Sequence, residues 1–161
     1  MQVRRRTIYE DEINRAEVRL LTAADFEADE TPAMKRAGNI LTSVAGRVPA
    51  EPDLALLTGL ADSLHVVLPD AGGGDWAFAH AGRDWCHAPR YRTLAELGHF
   101  KPALAWQADE SYDEAWRRDA PLYTAVERLS GGVRLSYRRL IVRGPGGLYV
   151  LIRTLPGLAV A

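Results

Sequence analysis

Val133-Arg134-Leu135-Ser136-Tyr137-Arg138-Arg139-Leu140-Ile141-Val142, turned by Gly144-Pro145-Gly146-Gly147 into Leu148-Tyr149-Val150-Leu151-Ile152, is the stretch that decides the fold. Its first half alternates, with Leu135 and Tyr137 on one face of a strand. Leu140 and Val142 fall on the other face, and Leu148 to Ile152 is apolar at every position. Alternation marks a strand with one wet face, whereas an unbroken apolar run marks a strand covered on both. A sheet that passes from the first regime to the second needs helices packed against it, and the class expected is α+β.

Upstream, Pro121 opens Leu122-Tyr123-Thr124-Ala125-Val126, and Gly131-Gly132 turns that segment into Val133, so three antiparallel strands are expected in succession. Before them, Trp106 to Arg118 carries Asp109, Glu110, Asp113 and Glu114 early and Arg117 and Arg118 late. That order of charge suits a helix dipole better than it suits calcium or paired-carboxylate chemistry. Arg83 to Phe100, with Pro89, Gly98 and the short Leu94-Ala95-Glu96-Leu97 piece, reads as loops holding one or two single-turn helices. Leu64-His65-Val66-Val67-Leu68, closed by Pro69, reads as a strand; Asp70 to Gly74 reads as a turn, and Trp76, Phe78 and His80 alternate with small residues up to Gly82. The two segments make a hairpin.

The first sixty or so residues read as helices. Ile13, Ala16, Val18, Leu20 and Leu21, interleaved with Glu12, Arg15, Glu17 and Arg19, suggest a short amphipathic helix over Glu10–Leu21. Thr31 caps a second, with Pro32 in its first turn and Met34, Ile40, Leu41 and Val44 as its stripe, although Gly38 counts against it. After Pro49 and Pro52, Asp53 begins a third carrying Leu54, Leu56, Leu57, Leu60 and Leu64. The expected organisation is therefore an N-terminal helical extension over 1–62 and a β-rich domain over 63–161, forming one folding unit. The extension would cover the back of the sheet or pair with a second subunit, and a homodimer through these helices is the expectation.

The chain has 161 residues, 47% of them hydrophobic and 25% charged, which fits one packed domain. A formal charge of -1 argues against a nucleic-acid binder. Arg4-Arg5-Arg6 is followed by Tyr9, Glu10, Asp11 and Glu12 where an export signal needs an apolar region. No stretch approaches the ~20 apolar residues of a membrane span. Cys86 is the lone cysteine, so no intrachain disulfide forms and a cytoplasmic location is expected. A metal site would have to combine Cys86 with His65, His80, His87 or His99, and none is expected.

Asp75-Trp76-Ala77-Phe78-Ala79-His80-Ala81-Gly82, then Tyr112 in the long helix, Pro121-Leu122-Tyr123 and Ser136-Tyr137-Arg138-Arg139-Leu140, resemble bacterial single-domain PAS proteins. The similarity runs over roughly residues 60 to 155. It implies a PAS-like five-stranded antiparallel sheet with a helical insert, a cavity between sheet and helices, and a sensory role. Gly82-Arg83-Asp84-Trp85-Cys86 lacks the polar and aromatic run around the cysteine of flavin-binding light sensors, and the long helix lacks the histidine that haem-binding relatives place there, so neither flavin nor haem is expected.

Rings with polar tips suit the lining of a small-molecule cavity. The candidates are Trp85, Trp106, Tyr112, Trp116, Tyr123 and Tyr137, joined by His99 and by Arg139, whose planar fork suits a carboxylate. Arg138 and Arg139 lie on opposite strand faces, so only one of them reaches inward. Cys86 beside His87 has no third orienting group, and the glycine runs at 72–74 and 144–147 lack the lysine or serine of a phosphate cradle. No catalytic residue is assigned. The function expected is a non-catalytic sensory or signalling module binding a small molecule, a partner protein or both. The alternatives are a small cone-shaped enzyme resembling nuclear transport factor or ketosteroid isomerase, and a ligand-free protein-interaction platform.

Overall fold

The computed structural model describes residues 5–10, 14–43, 63–70, 74–82, 92–100, 102–118, 120–130, 132–144 and 146–155. In chain order the elements are β1 (Arg5–Glu10), β2 (Asn14–Leu20), α1 (Ala23–Asp29), α2 (Pro32–Ser43), β3 (Leu64–Pro69) and β4 (Trp76–Ala81). They continue with α3 (Leu94–Phe100), α4 (Pro102–Arg117), β5 (Leu122–Ser130), β6 (Val133–Arg143) and β7 (Leu148–Thr154). All strands join one antiparallel sheet in the order β1-β2-β5-β6-β7-β3-β4.

The sheet thus has seven described strands where five were expected. The two additions come from the N-terminal region, and they correct the reading of Glu10–Leu21 as a helix. Arg15-Ala16-Glu17-Val18-Arg19-Leu20 alternates strictly, and β2 pairs residue for residue with β5, from Asn14 opposite Ser130 to Leu20 opposite Thr124. Ala16 is fully buried, while Arg19 on the other face is exposed. Of Ile13, Ala16, Val18, Leu20 and Leu21, read as a helical pattern, Ala16 and Leu20 fit a period of two as well as one of 3.6, and the open edge of β5 selects the former. The first sixty residues are therefore not a wholly helical extension. The helix expected from Asp53 lies outside the described residues apart from Leu64, which opens β3.

Both faces of the sheet are covered. On the front, α3 and α4 lay Leu94, Leu97, Ala105, Ala108, Tyr112 and Ala115 over Val67, Trp76, Leu122, Ile141, Leu148 and Val150. On the back, Phe26 of α1 and Met34, Ala37 and Leu41 of α2 pack on Leu64, Tyr123, Leu140, Val142 and Leu151. The unbroken apolar run of β7 alternates between these two cores, with Leu148 and Val150 in front and Leu151 behind. One amphipathic task is thereby spent, because the apolar stripe of α2 is used on the sheet and its outward residues Arg36, Asn39, Thr42 and Ser43 are polar and exposed.

Local signals fix the ends of the elements. Thr22 and Asp25 form a reciprocal capping box at α1: Asp25 N donates to Thr22 Oγ1 at 3.1 Å and Thr22 N donates to Asp25 Oδ2 at 2.8 Å. Gly132, at φ +84°, makes the tight turn from β5 to β6 in a region that a Cβ would oppose. Gly38 sits in the middle of α2, where helix propensity disfavours it, for another reason. A Cβ there would meet Phe26 Cζ at 2.8 Å and Leu140 Cδ2 at 2.9 Å, so its absence sets how closely α2 approaches the sheet.

Candidate functional site: a cleft beneath the long helix

The front face carries an open cleft of about 360 Å³ where α4 passes over β2 and β5. Its apolar floor is Val18 and Leu20 of β2 and Leu122 of β5, with Thr124 beside them; its helical wall is Glu110, Ser111, Asp113, Glu114, Arg117 and Arg118. The register explains the floor: Val18 faces Val126 and Leu20 faces Thr124, so alternate residues of the two strands point to α4.

Arg139 of β6, 1% exposed, stands beside this floor on the same face of the sheet, as the cross-strand neighbour of Thr124. Its Nη2 donates to Ser111 Oγ at 2.6 Å and its Nε donates to Thr124 Oγ1 at 3.3 Å. Both acceptors line the cleft, so the guanidinium ties the helical wall to the sheet and fixes the two hydroxyls. Tyr112 lies on the same face and is fully buried against the front core. Burial pushes its phenol up to about 12, opposed by the positive charge of Arg139 and reinforced by Tyr137. The ring stays neutral at physiological pH.

The wall is anchored at its other end by aromatic packing. Trp76 of β4 meets Tyr112 and Trp116 edge to face, each at 5.8 Å between centroids, and its indole Nε1 donates to Asp113 Oδ1 at 3.3 Å. Asp113 therefore has one side on the cleft and one hydrogen bond into the core. Arg143 stacks 3.9 Å from the centre of the Trp116 ring and donates from Nη1 to the Trp116 carbonyl at 2.6 Å. At the mouth Glu114 pairs with Arg117 at 3.1 Å and with Arg118 at 3.8 Å. These exposed pairs add little stability, and the single carboxylate of Glu114 offsets the charge of only one of the two arginines at the rim.

The expected cavity residues divide between the faces. Tyr112, Trp116, Tyr137 and Arg139 are on or beside the front core, as the alternation of β6 requires. Tyr123 is not with them: it points to the back, where its hydroxyl donates to Glu30 Oε1 at 2.6 Å and its ring meets Phe26 at 5.1 Å. Its phenol is raised, first by burial and then by that hydrogen bond and the charge of Glu30. Glu30 also accepts from Arg153 Nε at 2.8 Å, so a carboxylate with a fully buried side chain links α1 to β5 and β7. His99 is exposed at the end of α3. Trp85, Cys86 and His87 lie outside the described residues, as does the side chain of Trp106.

His65 is buried in β3 and its Nδ1 accepts from the Gly82 N–H at 3.0 Å, which closes the end of the β3–β4 hairpin. Among the described residues, no three histidine, cysteine, aspartate or glutamate side chains are placed to hold a metal ion. None of the described helices is long and apolar enough to cross a membrane. Sequence reasoning missed Val18, Leu20, Ser111 and Thr124 in the cleft and Glu30 and Arg153 behind the sheet. The alternation of β2 was the available signal for the first two.

Comparison with protein-family models, with curated proteins and with solved structures finds no significant match.

Proposed function

We propose that this protein is a non-catalytic, PAS-like sensory module of the cytoplasm that takes a small amphipathic molecule into the cleft between α4 and strands β2 and β5 and relays its presence to a partner protein. The observation that carries the reading is the cleft itself, with its aliphatic floor, its mixed-charge rim and its hydroxyls held by a buried guanidinium. Such a mixture suits a ligand with an apolar body and a polar head. The succession β3-β4-α3-α4-β5-β6-β7 in one antiparallel sheet supports the PAS-like comparison, while the β1–β2 hairpin departs from it and supplies part of the floor. The two described hydroxyls in the cleft are engaged by Arg139, a cation that cannot take up their protons, which favours binding over acyl or phosphoryl transfer. The cone-shaped enzyme requires leading helices, and here the first described element pair is a hairpin.

Native mass spectrometry of protein purified from its own cell type, followed by thermal-shift screening of the released molecule, tests this. A ligand at a hundred times its dissociation constant should raise the melting temperature by roughly 5–10 °C. Val18→Trp, which fills the floor, should abolish that rise while leaving the unliganded protein folded. A protein that is empty under every condition, or a ligand whose effect survives Val18→Trp, would overturn the reading; the first result would favour the protein-interaction platform.

A further inference from the structure

We propose that the back face of the sheet carries a second binding site, a pit over Ala125 that takes a small zwitterion, with its carboxylate on Arg19 and Arg138 and its ammonium on Glu127 and Glu17. The site lies on the face opposite the cleft, uses none of its residues and stands independently of it.

The strand register builds the pit. On β5 and β6 the back core formed with α1 and α2 includes Tyr123, Leu140 and Val142. Two residues further along β5, Ala125 has Arg19 of β2 on one side and Arg138 of β6 on the other as direct cross-strand neighbours. Ala125 belongs to neither core, yet it is only 5% exposed, because longer side chains stand around it. Two strand spacings hold the backbones of Arg19 and Arg138 ~9.5 Å apart, with a single methyl group between their stems. The depression measures about 200 Å³ and is lined by Glu17, Arg19, Ala125 and Glu127.

The charges select the ligand. The next row on the same face, ~6.7 Å along the strands, sets Glu17 directly opposite Glu127. Like charges in that position work against strand pairing, and a bound cation would relieve them. Glu17 also reaches Arg15 at 4.0 Å, but among the described residues Glu127, Arg19 and Arg138 form no hydrogen bond or ion pair through their side chains. Asp25 of α1 shows that the two guanidiniums converge. Its carboxyl is held below the usual range mainly by hydrogen bonds from Thr22, with smaller contributions from both Arg19 and Arg138, and it pairs with neither. A lone anion over Ala125 would be drawn to the arginine row and repelled by the glutamate row, and a lone cation would meet the reverse. A molecule carrying both charges satisfies both rows at once, the arginine forks taking its carboxylate.

Titration of the full chain, with alanine methyl groups labelled for NMR and ionic strength held constant, tests the proposal. The probes are γ-aminobutyrate, whose two charges suit the spacing of the rows, and butyrate and n-butylammonium, each of which keeps one charge. The Ala125 methyl signal should shift and saturate with γ-aminobutyrate at a dissociation constant of about 1–10 mM, and each single-charge probe should bind at least about 5-fold more weakly. Glu127→Gln should weaken γ-aminobutyrate about 3-fold or more while leaving butyrate unchanged or tighter, a pattern that a misfolded sheet would not give. Ala125→Leu, which fills the pit, should abolish binding of all three. An Ala125 signal that does not move, butyrate or n-butylammonium binding as tightly as γ-aminobutyrate, or γ-aminobutyrate binding indifferent to Glu127→Gln would overturn the proposal.

Discussion

Gly38→Ala sets two opposing effects against each other in one methyl group. Helix propensity favours alanine over glycine by about 1 kcal/mol in a helix interior, and Gly38 lies well inside α2. Against this, the new Cβ would stand 2.8 Å from Phe26 Cζ and 2.9 Å from Leu140 Cδ2. Carbon atoms rest at ~3.5–4.0 Å, so the neighbours must withdraw by roughly 1 Å. Both are side-chain ends, but neither is loose: Phe26 is held edge-on against Tyr123, and Leu140 is buried in a strand paired on both sides. Overpacking of this kind costs about 1–3 kcal/mol, so clash offsets or exceeds propensity and a net loss of up to about 2 kcal/mol is expected. In a chain of this length that lowers the melting temperature by up to about 8 °C. Urea unfolding should show a lower midpoint at unchanged slope. Leu140→Ala removes one of the two obstacles, so in that background Gly38→Ala should cost at least about 1 kcal/mol less, a coupling that a double-mutant cycle reads directly. Stabilisation by the single substitution, or strict additivity in the cycle, would refute the close-approach account of Gly38.

Three further outcomes follow from the polar contacts. Glu30→Gln leaves an acceptor for Tyr123 but removes the charge facing Arg153, and urea unfolding should register a loss of about 2–4 kcal/mol; a loss under about 0.5 kcal/mol would mean that the buried pair contributes nothing. Tyr123 and Tyr112 are both raised in the folded state, so the stability they hold is complete below the ordinary tyrosine value near 10 and is lost as pH climbs above it. Melting temperatures of Tyr123→Phe between pH 9 and 11.5 should therefore fall less steeply than those of the wild type, and an identical slope would contradict the assignment. Asp25 is lowered by the backbone and hydroxyl hydrogen bonds of Thr22, so its contribution is present above the ordinary carboxylate range and disappears as pH drops through its depressed value. Asp25→Asn should flatten the acid limb of a stability profile between pH 2 and 5, and a wild-type-like limb would dissociate α1 capping from acid unfolding.

The candidate site was partly legible in the residues. Arg138 and Arg139 were separable by strand alternation alone, and one of them is indeed buried on the α4 side of the sheet. The placement of Tyr112 and Trp116 on the long helix rested on the order of charges along Trp106–Arg118, and both lie in α4. Tyr123 was assigned to the cavity because its chemistry fits one, yet alternation along β5 puts it back to back with Leu122 and Thr124, against Phe26. A ring's chemical character does not report which face it occupies. Ser111 and Thr124 carry no signal as single residues, since a hydroxyl becomes informative only when a neighbour such as Arg139 is brought to it.

By itself the sequence determined the sheet that begins with one wet face and ends covered on both, the glycine turns that join its last three strands, and the presence of the long helix, although that helix starts at Pro102 and so has no acidic residue in its first turn. Each is a local pattern read within one element, where side-chain period and turn chemistry suffice. Only the tertiary structure decided that Asn14–Leu20 is a strand, because Ala16 and Leu20 satisfy two periods until the open edge of β5 supplies hydrogen-bond partners for one. It also decided that Glu30 meets Tyr123 and Arg153 across separations of 93 and 123 residues, and that α4 crosses β2 to leave a cleft. Those contacts join residues with no shared period, so nothing in either segment alone encodes the other.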